Sequence, residues 1–158
     1  MTLSQRIQYF PIPRSRSIEF ALLGVTVLAG CERAAKPTLP VFPVQGRVLV
    51  DGQPPVRAEI RMRPKTPLKD PLKRSVEPHA FVQEDGSFRV STYADKDGAP
   101  VGEYALTIVW PEITEEGGED VIGEDRLRGR FSDPQSPIAQ IEVDEFDNHI
   151  PDIELTTR

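Results

Sequence analysis

Chemistry in this 158-residue chain would rest on few side chains. Two histidines, His79 and His149, and one cysteine, Cys31, stand among 25 acids. A serine hydrolase needs a nucleophile, a base and an acid brought together, with the serine on a tight turn. No G-x-S-x-G element occurs, and His79 and His149 are the only candidates for the base. Zinc requires three or four closely held nitrogen or sulfur ligands, whereas the histidines stand 70 residues apart. An enzyme reading therefore reduces to a dispersed set, His79, Asp97, Asp147 and His149, serving a hydrolase or a divalent-metal reaction. Both histidines suit surface positions better: His79 opens a strand pattern and His149 sits in a polar turn.

Calcium is the metal that the carboxylates approach most closely. Asp95-Lys96-Asp97-Gly98 starts like a calcium loop, but its fifth and twelfth positions are Ala99 and Leu106, where oxygen ligands are required. Asp144-Glu145-Phe146-Asp147-Asn148 is a second acidic turn. Asp and Gly suit turn backbones in their own right, so the expectation is no metal, with Asp95, Asp97, Asp144 and Asp147 as the weak candidates. Carbohydrate binding would call for exposed, coplanar rings. Trp110 is the strongest single ring, yet it continues a stripe with Tyr104, Leu106 and Ile108 and is expected in the core. Tyr93 alternates with the inward positions and offers one outward ring.

Charge narrows the partners. The chain carries −6; without residues 1–30, which hold three arginines and one glutamate, 16 basic and 24 acidic side chains remain, a net −8. Such a domain repels phosphate backbones, which argues against nucleic acid. Pro111 to Asp125, PEITEEGGEDVIGED, holds seven acids in fifteen residues. It reads as a solvated, mobile loop, or as a docking surface for a basic partner or divalent cations. Arg61, Arg63, Lys65, Lys69, Lys73 and Arg74, with Asp70 among them, form the basic counterpart. That segment has three outlets: the acidic loop, anionic headgroups or acidic polysaccharide.

The first thirty residues read as an address. Arg6, Arg14 and Arg16 precede a ten-residue apolar run, Phe20 to Ala29, and small residues follow. This is the pattern of a secretory signal peptide, and the run is too short for a bilayer of about 30 Å. Leu28-Ala29-Gly30-Cys31 resembles the lipobox of bacterial lipoproteins. The resemblance implies cleavage between Gly30 and Cys31 and acylation of the Cys31 thiol. Two or three acyl chains give stable anchoring, placing the mature protein on a bacterial membrane, facing the periplasm or the cell surface. It also leaves no thiol for catalysis or metal binding, and a lone cysteine forms no internal disulfide. Residues 31–43 follow as a linker in which Pro37, Pro40 and Pro43 recur at the polyproline II period.

From residue 44 the pattern is period two. Val56, Ala58, Ile60 and Met62 point one way and Arg57, Glu59, Arg61 and Arg63 the other, a half-buried strand. Val48 and Val50 alternate with Leu49. HAFVQ and SFRVSTY flank Asp85-Gly86, a hairpin signal. EYALTIVW is apolar on both faces, which predicts a central strand. IAQIEV and PDIELT add Ile141, Val143, Ile153 and Leu155 as inward residues. About seven short strands and no helix make two packed sheets the economical arrangement.

Gly46-Arg47-Val48, Asp51-Gly52, Ala58-Glu59-Ile60, Glu84-Asp85-Gly86-Ser87-Phe88 and Gly102-Glu103-Tyr104-Ala105-Leu106 resemble the carboxypeptidase-regulatory-like domain of the transthyretin (prealbumin)-like sandwiches. DGAPVGEYALTIVWP and DRLRGRFSDPQSP look like small bacterial lipoproteins carrying it. The resemblance implies an all-β chain with a single seven-stranded antiparallel Greek-key β-sandwich, prealbumin- or Ig-like, over 44–158. Hydrolases of this fold end in Tyr-Arg-Gly-Ser; this chain ends in Leu155-Thr156-Thr157-Arg158, so their activity does not carry over. The expected function is a non-enzymatic binding or structural module of the envelope, meeting an envelope protein or polysaccharide. A carbohydrate-binding module is the alternative, and the hydrolase or metal enzyme comes last.

Overall fold

The structure, a computed structural model, describes residues 38–157. The expected signal peptide, Gly30, Cys31 and the first part of the linker lie outside the described residues. The described chain is all-β. Its ten strands are β1 (Val44–Val50), β2 (Glu59–Pro64), β3 (His79–Phe81), β4 (Ser87–Arg89), β5 (Gly102–Val109), β6 (Pro111–Glu116), β7 (Glu119–Asp125), β8 (Ala139–Val143), β9 (Asn148–His149) and β10 (Ile153–Leu155).

Two four-stranded sheets share one core. The first runs β10-β1-β4, with β9 also on β1; the second runs β3-β2-β5-β8. Alternation decides what they bury. Ala58, Ile60 and Met62 are fully buried, as are Tyr104, Leu106 and Ile108, and Val48, Val50, Phe88, Ile153 and Leu155 meet them from the first sheet. Ile60 lies opposite Ala80 on one side and Ile108 on the other, so the apolar rows continue across strands. The expectation of a central strand holds for β5, which pairs β2 and β8; Ala105 and Thr107 on its second face are also buried. Tyr104 is closed off from solvent and donates its hydroxyl to the Pro100 carbonyl at 2.8 Å. Burial, and to a lesser degree the Tyr93 side chain, push the Tyr104 phenol up to about 12.

Three expectations are corrected. There are ten strands among the described residues rather than about seven, and β1 pairs both β9 and β10 in parallel, so the sheets are not purely antiparallel. Second, Val56 is half-exposed and does not extend the Ala58–Met62 stripe. Arg57 adopts φ 66°, which turns the backbone before β2 begins. Third, β3 and β4 do not form a simple hairpin ladder. They are linked at His79–Ser91 and by the Gln83 to Ser87 turn bond, but β3 pairs β2 whereas β4 pairs β1. The Glu84-Asp85-Gly86 turn thus carries the chain from one sheet to the other.

Candidate functional site: a groove beneath an acidic hairpin

The acidic segment 111–125 is not a loop. It folds as a two-stranded hairpin in which Ile113 faces Ile122, Thr114 faces Val121 and Glu116 faces Glu119. Gly117 and Gly118, at φ 63° and 88°, supply the pair of positive torsions that tight hairpin turns require. The base is fastened by Asp125. Its carboxylate accepts the backbone N–H of Trp110 at 2.9 Å, Leu127 at 3.0 Å and Gly129 at 2.8 Å. Arg126 donates its N–H to the Trp110 carbonyl at 2.8 Å and sets its guanidinium 5.0 Å from the Trp110 ring centre. Trp110 is therefore occupied: its indole N–H donates to the Val56 carbonyl at 3.1 Å and its body packs on the core.

Between this hairpin and the outward face of the β3-β2-β5 sheet lies a groove of about 800 Å³. Phe81, Val56 and Val109 form one side, and Ile113 and Ile122 the other. Ile122 is 73% exposed and Phe81 54%, unusual values for side chains this large. Concave, mostly apolar sites of roughly 300–1,000 Å³ with a few placed polar groups are typical of ligand-binding clefts. Arg57 reaches from the body to pair with Asp120 of the hairpin. Arg61 donates to Glu59 at 2.6 Å, and this bond outweighs the effect of burial, raising the guanidinium above its ordinary value. Glu112, Glu115, Glu116, Glu119 and Glu124 make no ion pair among the described residues. Glu116 and Glu119, directly opposed, repel each other.

The residues singled out from the sequence are not gathered here. His79 lies on β3, edge-on to Phe81 with ring centres 5.9 Å apart, while His149 lies on β9 of the other sheet beside the Gln45 side chain. Asp97 is committed to the backbone: it accepts the N–H groups of Thr92 (2.6 Å), Tyr93 (3.0 Å) and Ala94 (3.0 Å). Gly98 follows at φ 98°, where an added Cβ would stand 1.8 Å from the Phe42 carbonyl oxygen. The Asp95–Gly98 motif is thus a turn holding the strand entry at Phe42, and Asp95 pairs with its neighbour Lys96. Asp144 and Asp147 are exposed in a turn organised by Asn148, whose side chain bonds the carbonyls of Pro43, Asp144 and Phe146. No group of three His, Cys, Asp or Glu able to hold a metal ion occurs among the described residues. Tyr93 accepts the Leu39 N–H at 3.3 Å, so its hydroxyl holds the incoming chain.

Neither a protein-family model nor a curated protein matches the sequence. Among solved structures, a 9R-lipoxygenase from Cyanothece PCC8801 shares 13% identity and a TM-score of 0.39, covering 77% of this chain but only 17% of the lipoxygenase. A candidate carbohydrate binding protein from Pseudomonas aeruginosa shares 13% identity and a TM-score of 0.37, covering 78% of this chain and 92% of that one. At these values neither protein lends this chain an activity.

Sequence reasoning offered the 111–125 segment as a docking surface for a basic partner, but it passed over Phe81 and the apolar lining of the groove. The signals were present in retrospect. Ala80 and Val82 facing inward put Phe81 outward, and Gly117-Gly118 between alternating segments is a hairpin signature. Net acidity hid both.

Proposed function

We propose that this chain is a lipoprotein of a bacterial envelope, exported and held on the membrane through Cys31, whose transthyretin-like sandwich acts as a non-enzymatic binding module. Its binding surface is the groove beneath the hairpin. The observation that carries this reading is the size and apolar lining of the groove, with Ile122 and Phe81 left in solvent. Exposed apolar surface collected in a concavity marks interaction sites rather than accident.

The test uses the neutral fluorophore N-phenyl-1-naphthylamine. Its emission should rise to saturation on the wild-type chain, and Ile122→Glu or Phe81→Glu should abolish the rise. A chain that leaves the dye dark, or variants that bind it equally well, would remove the groove from consideration. Anchoring is tested separately. Palmitate should label the wild type, and Cys31→Ser should release the protein from membranes; unchanged membrane association of that variant would sink the lipoprotein reading.

A glycan-binding module is supported by one feature. The exposed Phe81 ring is flanked by the polar side chains of Arg61 and Gln83 at the groove. Silence across an envelope-oligosaccharide array, or binding indifferent to Phe81→Ala, would dispose of it.

A further inference from the structure

The loop between β2 and β3 carries a surface that matches the groove. Asp70, 4% exposed, organises this loop: its carboxylate accepts the N–H groups of Leu72 and Arg74, each at 2.9 Å, and the Arg74 Nε–H at 2.6 Å. Burial pushes this carboxyl up, but the hydrogen bonds from Arg74 and Leu72 and the Arg74 charge outweigh it, leaving the group below its ordinary value. A Lys69–Ser75 bridge closes the loop. Leu72 stands 49% exposed on this braced turn, with Lys69 and Lys73 close by in the chain. Neither lysine forms an ion pair among the described residues, whereas Arg61, Arg63, Lys65 and Arg74 all do.

We propose that the Leu72 loop of one copy seats in the groove of a second copy. The occupant is argued from complementarity: an apolar knob flanked in the chain by two lysines meets an apolar slot beside the carboxylates of Glu84 and Glu115, neither of which makes an ion pair among the described residues. The loop is braced in advance, so little ordering cost opposes docking. A copy does not serve itself. The loop leaves β2 after Pro64, whereas the groove lies at the Glu59–Val109 end, roughly 17 Å away at about 3.3 Å per residue. The two surfaces therefore sit at opposite ends of one sheet, and the contact is head-to-tail. Head-to-tail contacts build rings or open chains rather than two-fold dimers. This inference rests on the groove being a binding surface and names what fills it.

The experiment places the photo-crosslinker p-benzoylphenylalanine at Leu72 in the full chain, co-expressed with a differently tagged wild-type copy. Illumination should yield an adduct between the copies, mapping to residues 109–122 of the acceptor. Lys69→Glu with Lys73→Glu should cut the yield at least about tenfold, and Glu84→Lys with Glu115→Lys in the acceptor should restore it. No inter-copy adduct, adducts only with other proteins, or yields indifferent to these charge changes would overturn the proposal. Circular dichroism on each variant separates lost docking from lost folding. The naphthylamine dye separates the two readings: a wild-type groove that binds dye without receiving Leu72 ends the second-copy assignment alone, whereas a dark groove ends both.

Discussion

β5 and β7 have nearly the same length, eight and seven residues, and both alternate in side-chain direction, yet they live in different solvents. Five consecutive residues of β5 are buried, whereas six of the seven in β7 are exposed. One strand is held by what it packs against. The other is held by a glycine turn, a ladder to a single neighbour and the Asp125 fastening at its base. An isolated two-stranded ribbon is marginal in water, so the root and the Arg57 contact matter more to β7 than any residue along it. The lesson is that apolar residues are used differently in the two regions: the sandwich buries its own, while the hairpin leaves them in solvent.

The largest expected effect measures that division directly. Leu106→Ala should cost about 2–5 kcal/mol, because it empties a fully buried site between the sheets. Ile122→Ala should stay within about 0.5 kcal/mol. Urea unfolding of both variants makes the comparison, and an Ile122 effect as large as that of Leu106 would show that the hairpin belongs to the core after all.

Alkaline pH sharpens the same contrast. The Tyr104 phenol rises from 10 to about 12 on folding, because burial disfavours its charged form. A raised folded value means the contribution is complete below about pH 10 and is lost as pH climbs through 12. The loss is roughly 2–3 kcal/mol. Tyr104→Phe should flatten this alkaline limb and, through the unpaired Pro100 carbonyl, cost about 1 kcal/mol at neutral pH. Asp125→Ala should leave the limb intact, since it acts on the hairpin. A limb that survives in Tyr104→Phe would assign the titration elsewhere.

Asp125→Ala itself should lower stability by about 1–2 kcal/mol, as three backbone donors lose their acceptor. Its sharper signature is local. Amide exchange over residues 111–125 should accelerate well beyond the modest rise in β5 that the global loss entails, since a ribbon can open without the sandwich. Exchange that quickens equally in both places would mean the hairpin is not a separate unit.

The sequence disclosed these regions unequally, for a physical reason. Core strands announce themselves because burial selects apolar residues at every second position, as at Ala58-Ile60-Met62 and Tyr104-Leu106-Ile108. The hairpin is wet on most of its surface, so nothing forces alternation, and seven acids read as an unstructured loop. The groove was illegible for another reason: Phe81 and Ile122 lie 41 positions apart in the chain and line one cleft only once β7 folds back toward the sheet. Short β9 was missed because two residues carry no period; β10 was legible through inward Ile153 and Leu155, but nothing local marks the pairing of either strand to β1 as parallel.

The smallest expected effect concerns the Arg57–Asp120 pair, the one ion pair that ties the hairpin to the body among the described residues. Both side chains are about half-exposed, 55% and 54%, so water and salt screen their attraction. Exposed pairs contribute about 0–1 kcal/mol, and a double-mutant cycle of Arg57→Gln and Asp120→Asn should return a coupling in that range that fades above about 0.5 M salt. Global unfolding is a blunt instrument for so small a term. The groove is the better reporter, because the pair spans it and sets how far the hairpin stands from the sheet. Arg57→Gln also strips the counter-charge that Asp120 pairs with among the described residues; Asp120 lies opposite Glu115 in the ladder, so the two carboxylates then repel more strongly. The variant should therefore loosen naphthylamine binding while the urea midpoint moves little, and high salt should recover part of the loss by screening that repulsion. Dye binding unchanged by Arg57→Gln would show that the hairpin holds its distance through its root alone, with Asp125 and Trp110 sufficient to keep the groove open.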